Sequence, residues 1–412
     1  MGRLQRATAS GERVSTHPCI QSGKPSLALH IHNTGASPNS SILSLNGESG
    51  QFALPGVQIG PSAPPYTFFM QPVTIIPIQQ VTVIATVLNE VKEISRLVPT
   101  LLAQVPPPAE VIIVDGGSTD GTWDWLLEAQ RENPILLAIR DESCNLKRSP
   151  GPISRGRNVA ITAARSQIIA CTDAGCTYAP DWLAHITAPL LDYTAEYALG
   201  GSCLDPADPT VWDLASAPFF GVKLLPSTPS KSCTARSMAF RKNLWNRIGG
   251  FPETVFFGED TLFDLEARRL TPAAFVEGAK ALYRPQYSFV TAFNQLASYA
   301  VSDGILSVRR ARLVRNAARC VVEVLALLCL LLIRVPAVRS STEWWWAVLP
   351  FLAVLLLQFW YAFHPDWRYL YRKGPRVLLA RFFFSILVPW IVAAYHIQGM
   401  RTKLNQPNRQ NL

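Results

Sequence analysis

An α/β fold with a mostly parallel, doubly wound sheet, followed by membrane-spanning helices, is what the sequence predicts. Three observations carry it. Runs apolar on both faces alternate with segments of helical period between Val81 and Asp173, polar and acidic residues gather where those runs end, and long uncharged apolar stretches occur only beyond about residue 309.

Residues 1–80 are rich in Ser, Pro, Gly and Asn and show no sustained period, so they are expected to stay disordered. They contain no apolar signal core. Scattered arginines among scarce acids give a faint transit-peptide character, and Met70 offers a later start.

The patterned region, expected over 81–308, opens with VTVIATVL (Val81 to Leu88), which reads as a buried parallel strand. Ile94, Leu97, Val98, Leu101 and Leu102 then recur at helical spacing, and Pro106 to Pro108 end that helix. EVIIVD (Glu110 to Asp115) is a second strand, after which Thr119 or Asp120 is placed to cap DGTWDWLLEAQR as a helix. ILLAIR gives a third strand, RGRNVAITAAR a third helix and QIIACTD a fourth strand. Right-handed crossovers between such strands give one doubly wound sheet.

Composition narrows the class. The chain is 49% hydrophobic with a formal net charge of +9. Its bases crowd around apolar runs rather than along a binding helix, which points to a membrane surface and not to nucleic acid. Eight cysteines without a CxxC pair or histidines at finger spacing indicate reduced thiols, not a zinc module.

Region 309–412 is expected to hold two or three transmembrane helices. Trp344 to Phe363 has no charge, and its 20 residues reach about the 30 Å of a hydrocarbon layer. Val377 to Ile397 is a second span, with Arg381 near enough to one end to snorkel. Ala317 to Ile333 is shorter and contains Arg319 and Glu323, so an interfacial helix competes with a span there. RRARLVRNAAR before the first span and Arg368, Arg372, Lys373 and Arg376 between the later two place the preceding domain on the cytoplasmic side.

Open parallel sheets bind ligands beyond the carboxyl ends of their strands, where crossovers leave a crevice. The first strand delivers Thr86, Asn89 and Glu90 there, the second delivers Asp115 and the GGSTDG turn with Gly117, and the fourth delivers Asp173. A cap or polar turn would explain each alone. Acids converging on one edge repel unless a cation or sugar hydroxyls share the site. The intervening LKRSPGPISRGRN carries Lys147, Arg148, Arg155 and Arg157, so a diphosphate with a divalent cation makes a coherent ligand.

The ordered set VTVIATVLNE, VIIVDGGSTDGT, RGRNVAI, CTDAGC and IGGFPETVFFGEDTLFDLEAR resembles family 2 inverting glycosyltransferases of the GT-A fold over about Val81 to Asp303. The resemblance implies a donor site of Thr86, Glu90 and Asp115 on the nucleoside and Arg157 near the base or diphosphate. Asn89, Gly117 and Arg155 complete that donor-binding set. It further implies Asp173 as the first acid of the family's DxD element, Asp260 as catalytic base and Glu259 shaping the acceptor pocket. Gly175 stands where many members have the second aspartate. Since Mg2+ or Mn2+ completes its shell with phosphate oxygens and waters, Asp173 alone is expected to hold one weakly until nucleotide arrives. SYAVSDGILSVRR lacks the QxxRW signature of processive synthases, which implies one sugar per encounter. The implied partners are a nucleotide-sugar donor and a lipid or glycan acceptor. Rivals are a catalytically silent membrane scaffold and a nucleotidyltransferase, although TVLNEVKE lacks the glycines of the latter's phosphate loop.

Overall fold

The computed structural model describes residues 78–225, 234–332, 348–364 and 366–404, together with three strands nearer the N-terminus. The chain divides into two units, Met1–Pro72 and Val73–Leu412. In the first, β1 (Arg13–Gln21), β2 (Lys24–His32) and β3 (Ile42–Ser44) form an antiparallel sheet. For these strands the expectation of disorder over 1–80 is corrected. Val14 pairs with Ile31, Thr16 with Leu29 and Pro18 with Leu27, and the apolar residues of KPSLALHIH recur at period two. Judging this segment by composition passed over that alternation.

The second unit is built on β4 (Ile78–Val87), β5 (Pro108–Asp115), β6 (Leu136–Arg140) and β7 (Ile168–Cys171), with α1 (Val91–Leu102), α2 (Thr122–Glu132) and α3 (Pro152–Ala163) between them. These four strands are parallel, in the spatial order β6-β5-β4-β7. β4 shows why its run is apolar throughout: Val81, Val83, Ala85 and Val87 pack with Ile94, Leu97 and Leu101 on one face, while Ile84 meets Ala160 and Ile161 on the other. The helix after β5 is capped one residue beyond Asp120 and two beyond Thr119, the expected caps. Gly121 holds the cap position, and the Asp120 carboxylate accepts the Thr122 N–H at 3.0 Å.

Beyond β7 the sheet continues in a way the alternating pattern did not foretell. β8 (Cys176–Tyr178), α4 (Trp182–Leu191), β9 (Tyr197–Leu204), α5 (Val211–Ser216), β10 (Met238–Arg241), α6 (Lys242–Ile248), α7 (Glu259–Leu270) and β11 (Ala274–Tyr283) follow. The full order is β6-β5-β4-β7-β10-β9-β11-β8, with β10 antiparallel to both neighbours and β8 antiparallel to β11. The sheet is therefore mixed and mostly parallel. Reversal of β10 brings its N-terminal flank, rather than its end, to the edge where β4, β5 and β7 finish.

The C-terminal part comprises α8 (Phe289–Ile305), α9 (Arg310–Leu332), α10 (Leu349–Phe363), α11 (Trp367–Lys373) and α12 (Pro375–Leu404). Two or three spans were expected; among the described residues one helix, Pro375–Lys403, is long and apolar enough to cross a membrane. The described part of Trp344 to Phe363 is α10, whose 15 residues cover about 22 Å, and Trp344 to Trp346 lie outside the described residues. Arg381 does not snorkel. It is buried, donating to the carbonyls of Ala362 at 2.8 Å and Ala215 at 2.9 Å, because α12 packs on protein along part of its length. Arg319 and Glu323 are likewise absorbed internally: Arg319 donates to Gln358 at 2.7 Å, Gln358 donates to Glu323, and Trp390 donates to Glu323 at 2.7 Å.

Candidate active site

A cleft of about 800 Å³ opens at the carboxyl edge of the parallel strands. Thr86 and Glu90 reach it from the end of β4, Asp173 from the end of β7, Arg157 from α3, and Glu259 and Asp260 from the first turn of α7. Arg157 gets there because residue 156 is glycine: a Cβ at Gly156 would lie 2.6 Å from Cγ2 of Thr86, so only a bare Cα lets α3 close on β4. The two acids opening α7 lie at the positive end of a helix dipole, which favours carboxylates.

The cation that reconciles the converging acids is Arg157. Its Nη2 donates to Asp173 Oδ1 at 2.9 Å and its Nη1 to Glu259 Oε1 at 2.8 Å, and the side chain is only 4% exposed. Burial works against its charge, but Asp173 and Glu259 hold its pKa above the usual arginine value. Burial, then the Asp260 charge, push Glu259 up, and Arg157 pulls it back. Asp260 accepts the Thr261 N–H at 2.6 Å. Glu90 stands apart, raised to about 7 first by burial and then by the Asp173 charge.

Four predicted donor residues do not line this cleft. Asp115 is fully buried, and both its oxygens accept the Ser118 N–H, at 3.0 and 3.1 Å. Asn89 accepts the Thr119 N–H at 2.8 Å, tying the end of β4 to the same turn. Gly117 forms that turn at a φ of +94°. Arg155 pairs with Glu253 at 3.1 Å and donates to Ser143 at 2.6 Å. These residues shape the turn and loop beside the cleft, where short polar side chains find backbone partners before any ligand. In the basic loop Arg148 pairs with Glu142 on the surface and Lys147 is exposed.

Arg236 was missed by sequence reasoning. It precedes β10, lines the cleft, lies with its guanidinium 4.0 Å over the Tyr283 ring, and brings Nε within 3.8 Å of Asp173 Oδ2. Burial works against its charge, yet Tyr283, Tyr299 and Asp173 hold its pKa well above the usual value. Its signal, ARS before an apolar strand, is legible only once that strand is known to be reversed. The far wall is aromatic and cationic: Phe219, Phe220, Phe257 and Tyr299 stand near Arg309 and Arg312, which share Asp303 at 3.1 and 3.2 Å.

The residues present do not fit a resident divalent ion. Asp173 is the one acid at the expected position, and its two oxygens face two guanidinium groups, which repel a dication. No group of three His, Cys, Asp or Glu among the described residues could hold a metal ion.

Residues 82–251 match the family model of glycosyl transferase family 2. Among solved structures the chain is similar to mannosyltransferase PcManGT from Pyrobaculum calidifontis in complex with GDP-Man and Mn2+. That pair shares 19% identity over 81% of this chain and 91% of that one, at a TM-score of 0.43. The chain is also similar to S. aureus TarS 1–349 in complex with UDP-GlcNAc, with 18% identity, 80% and 92% coverage and a TM-score of 0.40. Glucosyl-3-phosphoglycerate synthase from Mycobacterium tuberculosis gives 15%, 53% and 78%, and 0.38. No curated protein matches the chain significantly.

Proposed function

We propose that this chain, whose residues 82–251 match the family model of glycosyl transferase family 2, moves a sugar from a nucleoside-diphosphate donor to a hydroxyl of a lipid or glycan acceptor beside a membrane, inverting the anomeric centre and adding one sugar per encounter. The observation that carries the reading is the single cleft shared by Asp173, Arg157, Glu259 and Asp260. Asp260 is the base. It takes the acceptor proton as the acceptor oxygen bonds to the anomeric carbon; the bond from that carbon to the phosphate oxygen breaks, and its electron pair leaves with the diphosphate. A base and a leaving-group site in one cleft allow that displacement in line. Thr86 and Glu90 bind the donor directly. Asp115, Asn89, Gly117 and Arg155 act through the turn and loop that frame its nucleoside. Glu259, held by Arg157, shapes the acceptor side.

Mg2+ or Mn2+ at Asp173 was expected, but a carboxylate faced by two guanidinium groups does not fit a dication. We assign catalysis to residues 81–308 and membrane attachment to 309–412, with the cleft on the cytoplasmic side. Large apolar side chains left exposed on α9, α10 and α12, among them Val321, Leu325, Leu356 and Leu379, support contact with lipid.

Asp260→Asn is the direct test. Transfer should fall by about 10²- to 10⁴-fold with nucleotide binding retained. Undiminished turnover by this variant, in a screen of nucleotide sugars against lipid and soluble acceptors, rejects Asp260 as base.

A further inference from the structure

We propose that Arg236 is the cation that receives the donor's diphosphate in this cleft, in place of a divalent metal ion. The proposal rests on the glycosyltransferase reading and deepens it.

It starts from what occupies the space beside Asp173. A Cβ on Gly175 would lie 3.2 Å from Cε2 of Tyr283, tighter than ordinary contact. That ring is not free to retreat, since the Arg236 guanidinium lies 4.0 Å over it and its hydroxyl is 3.4 Å from that of Tyr287. A second acid at 175 would therefore crowd Tyr283 and its stacked arginine. Glycine at 175 is what this packing accepts most easily, and Tyr283 links that position to Arg236.

The two cleft arginines beside Asp173 differ in what they have left to give. Arg157 already donates to two carboxylates. Arg236 is 9% exposed, its Nε is buried without a hydrogen-bond partner among the described residues, and the Asp173 oxygen nearest to it lies at 3.8 Å. A buried donor without a partner costs stability unless a ligand supplies the acceptor. A planar guanidinium held 4.0 Å over an aromatic ring is preorganised for phosphate oxygens. Arg157, by neutralising Asp173 and Glu259, keeps those acids from repelling the diphosphate.

The test uses the full-length protein in detergent and measures calorimetric binding of UDP, GDP and inorganic pyrophosphate, in EDTA and in Mn2+. At least one nucleotide and pyrophosphate should bind in EDTA, with Mn2+ changing affinity by less than about threefold. Arg236→Gln should weaken the diphosphate by about 10- to 100-fold and leave the matching nucleoside unchanged, with Arg236→Lys intermediate. Wild-type binding that vanishes in EDTA and returns with Mn2+ overturns the proposal while leaving the glycosyltransferase reading intact. Equal diphosphate affinity in Arg236→Gln and wild type also overturns it. Absence of any nucleotide binding by wild type under both conditions removes the proposal together with the reading beneath it. The wild-type arm decides the matter even where a variant fails to fold.

Discussion

The two sides of the cleft are made differently. One side is the edge of four parallel strands, which deliver acids and short polar residues from their carboxyl ends: Thr86, Glu90, Asp173. The other is assembled from a reversed strand's leading flank, the segment leading into α7, the end of β11 and the C-terminal helices, and it delivers Arg236, Phe257, Tyr283, Tyr299 and Arg309. Glu90 and Asp173 come from the first side, whereas Glu259 and Asp260 of α7 and most bases and aromatic rings come from the second. Arg157 is the exception that joins them, carried by α3 on the acid side but bonded to Glu259 on α7. A parallel edge alone gives a site for hydroxyls and a cation; the reversed strand changes it into one that can hold an anion.

If Arg157 is that joint, its removal should do the most damage. Arg157→Met leaves Asp173 and Glu259 in a buried pocket without their shared donor. Breaking such a pair by deleting one partner costs about 3–5 kcal/mol, and since Asp173 is a third exposed the lower end is expected. Arg155→Met, two residues earlier, breaks a half-exposed pair with Glu253 and should cost no more than about 1 kcal/mol. Chemical denaturation of both variants measures the gap. Equal losses would mean that the acid side stands without its buried cation.

A smaller effect is expected where the two sides touch at Gly175. Gly175→Asp restores the acid that the DxD pattern calls for, but its Cβ presses on Tyr283. Overpacking of this kind costs about 1–3 kcal/mol. The melting temperature should fall, and nucleotide binding should remain indifferent to Mn2+. Tyr283→Leu in the same chain should recover part of the loss by opening the space. A stable Gly175→Asp variant that gains Mn2+-stimulated binding would show that Tyr283 and Arg236 do not exclude a second acid.

The same divide separates what was legible in the sequence from what was not. β4, β5 and β7 advertise themselves, because burial on both faces demands uninterrupted apolar runs; Thr86, Glu90 and Asp173 follow from where those runs stop. The GED acids were found through resemblance, and they do enter the cleft. Arg236 was invisible because a single sequence does not print strand direction, and MAFR is four residues long. Asp115, Asn89 and Arg155 were assigned to the ligand because polar residues at a strand end invite it. The structure turns them toward Ser118, Thr119 and Glu253 instead, since backbone N–H groups in a tight turn and a facing acid are partners always at hand. The C-terminal helices were found by hydropathy, but a span needs both length and an uncharged run, and among the described residues only α12 has both: α10 has 15 residues, and the 23 of α9 include Arg315, Arg319 and Glu323.

The smallest effect expected concerns Glu90, the acid-side residue with no arginine bonded to it. Its pKa is raised to about 7 from an ordinary 4.5, first by burial and then by the charge of Asp173. Between those values the folded state holds a proton that the unfolded state has lost. The group's favourable contribution to stability is therefore complete below about 4.5 and disappears as pH rises through 7. Ligand binding follows the same sign. Below 7 the carboxyl is neutral and tolerates a neighbouring anion; above 7 its charge repels one. UDP or GDP affinity should weaken by about three- to tenfold from pH 6 to pH 8 more in wild type than in Glu90→Gln. Taking the difference between the two proteins cancels the nucleotide's own titration. Parallel pH profiles would place Glu90 beyond reach of the diphosphate.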